Sequence, residues 1–163
     1  MRTFNLFLCA MQPLNFPTYD FRFKSIGTRT AIFDEIRRKF VVLTPEEWVR
    51  QHVVRFLLDQ KGYPKSLINV EKLLKINGIV KRYDLVVFNP DGSIFLLVEC
   101  KAPEITVGQQ TFDQIARYNL TLKADFLMVT NGIRHYYCRM DFEKEKYEFL
   151  HEIPDYATNR ITV

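Results

Sequence analysis

Apolar positions along the chain change their period several times, and each change predicts an element. Residues 20–24 alternate aromatic and polar side chains as a strand does, and Phe40-Val-Val-Leu43 reads as a short buried strand. Thr44-Pro45-Glu46-Glu47 is then a helix start, with Thr44 as N-cap, Pro45 at N1 and Glu47 at N3 completing a capping box. Trp48, Val49, His52, Val53 and Phe56 follow at helical spacing until Gly62 and Pro64 end the helix. Strands are predicted over residues 68–76 and 79–88, joined by Asn77-Gly78, a type I′ hairpin dipeptide. Asn89-Pro90-Asp91-Gly92 predicts a type I turn into a third strand over 93–101. Its stretch from Ile94 to Val98 is apolar on both faces, so this strand is expected to be central and covered on both sides. A second helix fits 107–122, with Phe112, Ile115, Ala116 and either Asn119 or Leu120 toward the sheet. Strands are expected over 124–130 and 133–140 around Asn131-Gly132, with an edge strand over 147–153. The order is helix, three antiparallel strands, helix, strand, plus flanking strands, which defines an α/β fold with a mixed sheet.

Composition narrows the class. A chain of 163 residues is sized for one domain, too short for a nucleotide-driven motor. With 47% hydrophobic and 14% aromatic residues it is too apolar for disorder, and its mean hydropathy of −0.14 is too polar for membrane insertion. Three widely spaced cysteines, Cys9, Cys100 and Cys138, form neither a disulfide framework nor a zinc site and fit a cytoplasmic location. The apolar run 4–11 lacks a small-x-small cleavage site, so a signal peptide is not expected. The net charge is +4; residues 20–61 hold nine Lys/Arg against six Asp/Glu, concentrated at Arg37-Arg38-Lys39, while residues 62–163 balance at thirteen each. A solvated surface accounts for that triplet, and beside a phosphate-handling site it could instead hold a nucleic-acid backbone.

Chemistry concentrates in one spacing: Asp84, then Glu99-Cys100-Lys101 at the end of the third strand. Glu99 and Lys101, two apart, project from one face while Cys100 points to the other. A four-residue loop at 89–92 sets Asp84 opposite Leu97 and diagonal to Glu99; a two-residue loop sets it directly opposite Glu99. Either loop gathers all three on one face, whereas an odd loop or a single bulge sends Asp84 to the other. Diagonal neighbours lie about 7–8 Å apart, close enough for two carboxylates to converge on one ion. Two acids and a lysine on a greasy strand need neutralising. A hard divalent cation does that, acidifies a bound water and suits phosphodiester hydrolysis, with Lys101, its pKa lowered, orienting or deprotonating the water. A partly buried ion triad with Arg82 nearby explains the spacing equally well.

These residues resemble the PD-(D/E)XK nucleases with their αβββαβ, restriction-endonuclease-like core, and more specifically the N-terminal nuclease domain of type I restriction enzyme R subunits (HsdR). The resemblance is carried by Leu43-Thr-Pro-Glu-Glu-Trp-Val-Arg-Gln51, Lys81-Arg-Tyr-Asp-Leu-Val-Val-Phe88, Leu97-Val-Glu-Cys-Lys-Ala-Pro103, Phe112-Asp-Gln-Ile-Ala-Arg-Tyr-Asn119 and Thr130-Asn-Gly132. It implies that Asp84, Glu99 and the Cys100 carbonyl are ligands of Mg²⁺, with Mn²⁺ able to substitute, and that Lys101 is the catalytic lysine. The first-helix glutamate of the fold falls on Glu46 or Glu47. Glu47 is preferred because Arg50 and Gln51 follow one turn on, although its place in the capping box is as economical an explanation. Gln114 and Tyr118 match the QxxxY motif of RecB-like nucleases and share a helix face. Two departures stand out: Tyr83 replaces the motif's leading proline, and the helicase motor of R subunits has no counterpart here.

The resulting expectation is a core over 41–153, a strand-rich extension over 1–40 packed on it and a tail over 154–163. The core would be a Mg²⁺-dependent deoxyribonuclease whose DNA contacts come from Arg37, Arg38, Lys39, Arg50 and Arg82. DNA and a helicase, translocase or other restriction subunit are the expected partners, with a dimer compatible and no membrane association. Two rivals remain: a nuclease fold kept as a DNA-docking or assembly subunit for a separate motor, and a silent protein in which Asp84, Glu99 and Lys101 neutralise one another. Structural roles are expected for His52, His135 and His151, a core position for Cys138, and edge-strand packing for Tyr136, Tyr137 and Tyr147.

Overall fold

A computed structural model of the protein describes residues 11–156. Cys9, most of the apolar run 4–11 and the last seven residues of the expected tail lie outside the described residues. Strands β1 (Phe23–Ile26), β2 (Arg29–Asp34) and β3 (Lys39–Val42) make an antiparallel sheet of their own. Residue 40, the expected end of the extension, lies inside β3. β3 is half-buried rather than buried, since only the following Leu43 reaches the core.

Helix α1 (Pro45–Arg55) begins where capping residues predict, with the Thr44 hydroxyl accepting the Glu47 N–H at 3.0 Å. Only that half of the capping box forms, because the Glu47 carboxylate is drawn to cations elsewhere. The helix runs into a π-helical turn, Phe56–Gln60, before Gly62 turns it at φ 67°. Six strands then form one sheet in the order β4 (Ile68–Ile76), β5 (Ile79–Phe88), β6 (Ile94–Cys100), β7 (Phe126–Thr130), β8 (His135–Asp141) and β9 (Lys146–Leu150). All neighbours are antiparallel except β6 and β7, whose parallel pairing requires the crossover through helix α2 (Gln109–Leu122). The core is thus the expected α/β, restriction-endonuclease-like αβββαβ arrangement around a mixed sheet.

Each face of that sheet carries a helix. Val49, Val53 and Val54 of α1 and Leu57 of the π-helical turn pack on Leu85, Val87, Leu96 and Val98, while Phe112, Ile115 and Ala116 of α2 pack on Val86, Leu97, Leu127 and Val129. β6 is central and covered on both sides, as its unbroken apolar run predicts. Of the two candidates for the inner face of α2, Asn119 is fully buried and Leu120 is 37% exposed. The Asn119 amide accounts for this by donating to the Ala124 carbonyl at 2.8 Å and accepting its N–H at 2.9 Å, closing the turn out of the helix.

The aromatic residues after Met11 join the N-terminal segment to α1: Phe21 packs on Trp48 with ring centroids 5.2 Å apart, and Phe16 lies 4.4 Å from His135. Burial lowers the pKa of both His52 and His135, so neutral rings fill this aromatic layer; His151 is exposed. Cys138 is a fully buried thiol, pushed up to about 12 by burial. Tyr147 donates to Asp113 at 2.8 Å and packs on Phe112, an edge-strand role. Gly132, at φ 82°, sits where a Cβ would lie 2.7 Å from Leu14 and 3.0 Å from the fully buried Val49. Leu14 can swing aside but Val49 cannot. Gly132→Ala is therefore expected to cost about 1–3 kcal/mol of stability, read by urea denaturation.

Candidate active site

Two strand ends and one helix face converge at this site. β5 and β6 pair as Val87↔Leu96, Val86↔Leu97 and Leu85↔Val98, but Phe88 pairs with Ile94. The connection is therefore residues 89–93, an odd loop that by itself would turn Asp84 to the wrong face. Phe95 is an extra residue in β6, and this bulge moves the register by one and cancels the effect. The pairing stops at Leu85↔Val98, and Leu85 packs on the α1 side of the sheet whereas Tyr83 packs on the α2 side, so the strict alternation breaks at Asp84. The main-chain ladder gives way there, and the Asp84 carboxylate accepts the Cys100 N–H through Oδ2 at 2.7 Å. Lys101 donates its backbone N–H to Thr130 at 2.8 Å and its ammonium to Glu99 Oε1 at 2.9 Å. Asp84, Glu99 and Lys101 are thus brought together, with side chains 14%, 18% and 33% exposed.

α1 supplies the helix side of the site. Arg50, only 6% exposed, donates to Asp84 Oδ1 at 2.7 Å and to Glu46 at 3.0 Å, and also contacts Glu47. Burial alone would lower its pKa, but Asp84 and Glu47 outweigh that and raise it, so this cation is permanent. Glu46 and Glu47 then part ways, because adjacent helix positions face different directions. The Glu47 carboxylate turns back toward the N-terminal sheet, accepting from Arg37 at 2.7 Å and Gln51 at 2.8 Å. Glu46 faces the strand ends: burial and the charge of Asp84 raise its pKa, Arg50 and Lys101 lower it, and Glu99 raises it again. Glu46 shares the Arg50 Nη2 donor with Asp84, while the preferred Glu47 takes Arg50 Nη1 and is also bound by Arg37. Position after the N-cap could not separate them; the direction of the helix relative to β5 does.

Three acids (Glu46, Asp84, Glu99) and two cations (Arg50, Lys101) make up the cluster. Burial favours the neutral form of Lys101, but the hydrogen bond and charge of Glu99, then Asp84 and Glu46, raise its pKa above the ordinary value. The Lys101 ammonium thus sits on Glu99 Oε1 at 2.9 Å. Cys100 is fully buried, its thiol pushed well up by burial and by the surrounding acids. Tyr83, in place of a proline, is buried with its hydroxyl pushed up to about 12 by burial and Glu99. Among the described residues no group of three or more His, Cys, Asp or Glu side chains is placed to hold a metal ion.

Other candidate residues are placed differently. Arg37, expected on DNA, is the hub of an internal network: it bonds Asp34, Glu47 and Glu71, each at 2.7 Å. Arg50 is likewise paired with carboxylates, those of Glu46, Glu47 and Asp84. Arg38 and Lys39 are exposed, and Arg82 is 65% exposed. Gln114 is exposed on the outer face of α2, and Tyr118 lies under the Lys81 ammonium, 4.2 Å from its ring centroid. Neither side chain bonds the acids of the strand ends. Glu71 is the member that sequence reasoning missed: it binds Arg37 and approaches Arg50 at 4.0 Å, with φ 51° in the middle of β4. A lone acid in a strand pattern offered no local signal for it.

The αβββαβ core and the acids at its strand ends define a nuclease-fold protein. Residues 45–154 match the family model for the type I restriction enzyme R protein N terminus (HSDR_N), and the chain belongs to that family. A solved structure described as a fragment of an HsdR subunit of a type I restriction enzyme, from Vibrio vulnificus YJ016, is similar at 22% identity with a TM-score of 0.47. The similarity covers 69% of this chain and 24% of that one, so the chain spans about a quarter of its length. No curated protein matches the chain. No helix among the described residues is long and apolar enough to cross a membrane.

Proposed function

We propose that this protein hydrolyses DNA phosphodiester bonds with the help of a divalent cation, as a nuclease module of a type I restriction system. The observation that carries this reading is the meeting of Asp84, Glu99 and Lys101 where the β5–β6 ladder gives way, in a member of the HsdR N-terminal family. Asp84, Glu99 and the Cys100 carbonyl would hold Mg²⁺ or Mn²⁺. The donors fit, being hard oxygens at a site with one more acid than cations, and Mg²⁺ usually takes only one or two carboxylates beside waters and substrate phosphate. The ion's chemistry would be to acidify a water and offset the charge of a phosphate in transfer. Asp84 is held in place by the Cys100 N–H, and Glu46 adds negative charge from the helix. Lys101, hydrogen-bonded to Glu99, would orient the attacking water and offset the charge that develops on the phosphate. Gln114 and Tyr118 line an exposed helix face that substrate can reach.

A second reading is favoured by Arg50 and Lys101. They already neutralise Asp84 and Glu99, so the isolated chain would be a DNA-docking or assembly subunit that becomes active with a helicase, translocase or other restriction subunit. A cytoplasmic setting and a possible dimer belong to either reading. The test is titration with Mg²⁺ and Mn²⁺ while following the melting temperature, then incubation with single-stranded, duplex and branched DNA. Metal-dependent cutting and a raised melting temperature are expected. Metal stabilisation without cutting, with cutting restored by a motor subunit, selects the second reading; intact DNA and an unmoved melting temperature discard both.

A further inference from the structure

The strand pair that delivers Asp84 continues past the sheet. β5 pairs with β6 only over 85–88, so among the described residues its strand partner from Ile79 to Tyr83 is β4, and the two form a two-stranded ribbon. The β4–β5 pairing skips Glu71, whose φ is 51°. On one side of the ribbon Lys72 pairs with Tyr83 and Leu74 with Lys81; Tyr83 and Leu74 pack against the α2 side of the core, and Lys81 caps the Tyr118 ring. On the other side Leu73 pairs with Arg82 and Lys75 with Val80, and all four are exposed: Leu73 60%, Val80 59%, Arg82 65%, and Lys75 in the exposed class. Alternation from Arg82 puts Asp84 on this same open face, where it meets α1 through Arg50. Residues 72–83 carry four Lys/Arg and no Asp/Glu, as much excess as the whole chain's net +4.

We propose that this open face of the β4–β5 ribbon is the track on which duplex DNA lies, with Lys75 and Arg82 on phosphates of the strand that reaches Asp84. The inference rests on the nuclease reading for the identity of the polyanion, and the charge of the ribbon argues for the place. Arg82 is free to serve, because its sole ion pair among the described residues, with Glu71 at 3.9 Å, is long and solvent-exposed and so contributes little. Leu73 and Val80, each beside a cation, offer an apolar surface to deoxyribose. Two-stranded ribbons of this kind fit the grooves of duplex DNA, and cations on them set register on the backbone without reading sequence.

The decisive measurement is fluorescence anisotropy of a labelled duplex of about 20 base pairs, roughly two turns, over a range of salt concentrations in EDTA. Without divalent metal no cutting intervenes, so binding is read independently of the proposed chemistry. Lys75→Glu/Arg82→Glu is expected to weaken binding at least tenfold and to flatten the slope of log K against log salt by about 2, since each phosphate contact contributes about 0.9. Lys144→Glu/Lys146→Glu makes the same change of charge on exposed residues at the β8–β9 turn and is expected to leave both unchanged. Equal losses in the two double variants, an unchanged slope in the first, preference for single strands, or no binding by the wild type would each overturn the proposal. A protein that binds through the ribbon but never cuts refutes hydrolysis and leaves this inference standing; one that cuts with ribbon-independent binding does the reverse.

Discussion

Lys101→Ala is expected to lower the rate of metal-dependent DNA cleavage by about 10²–10⁴-fold, the range that a positioned proton-transfer or charge-stabilising group supplies. Lys101 is at the mouth of the site, a third exposed, with its ammonium on Glu99 and its main chain held by Thr130. Removing the side chain leaves that main-chain bond intact and leaves Glu99 partly solvated, so the melting temperature should move by a few degrees at most. The measurement pairs a cleavage time course with a thermal melt of the same sample. A folded variant that cuts at the wild-type rate would remove Lys101 from the chemistry. A variant that fails to fold would point to the silent ion triad, in which the lysine serves only to neutralise Asp84 and Glu99. Lys101→Arg separates charge from shape: it keeps the cation and should retain stability while losing most of the rate.

The largest effect on stability is expected from Arg37→Ala. Its guanidinium ties Asp34 on β2, Glu47 on α1 and Glu71 on β4, joining the N-terminal sheet, the first helix and the edge of the main sheet. Asp34 is fully buried and Glu47 6% exposed; without the arginine Glu47 keeps Arg50 and Gln51, but Asp34 loses its cation and keeps only neutral donors, two backbone N–H groups and the Gln51 amide. Breaking a buried ion network by removing one partner costs about 3–5 kcal/mol. Neighbouring Arg38 is exposed, and Arg38→Ala should change stability by no more than about 0.5 kcal/mol. Urea denaturation of the two variants side by side checks the contrast. Equal midpoints would show that the network contributes nothing net. Glu71 should report the same coupling, because its left-handed backbone at φ 51° is held by the ion pairs it makes.

Much of the fold was legible because its signals are local. Capping at Thr44, the Asn77-Gly78 turn, the apolar run of β6 and the helical spacing of Phe112, Ile115 and Ala116 each act within a few residues, and each marks an element of the structure. The candidate site was legible in its members but not in their partners. Helix phase around Thr44 admits Glu46 and Glu47 alike, and only the packing of α1 across β5 turns Glu46 to Asp84 while Arg37 claims Glu47. The register was decided by two irregularities that offset each other, the odd 89–93 loop and the bulge at Phe95.

Charge shows the same division most plainly. By itself the sequence determined how many cations the chain has and that Asp84, Glu99 and Lys101 could share a face, because composition and the two-residue period of a strand are properties of the chain alone. Which cations are free was a matter for the tertiary structure. Arg37 and Arg50, in the segment where the excess was counted, are paired with nearby carboxylates and with Glu47, Glu71 and Asp84 brought from other elements, while Arg82 and Lys75 are left open on the ribbon. The reason is physical: a buried charge must find its opposite wherever folding brings one, and linear order carries no record of that meeting.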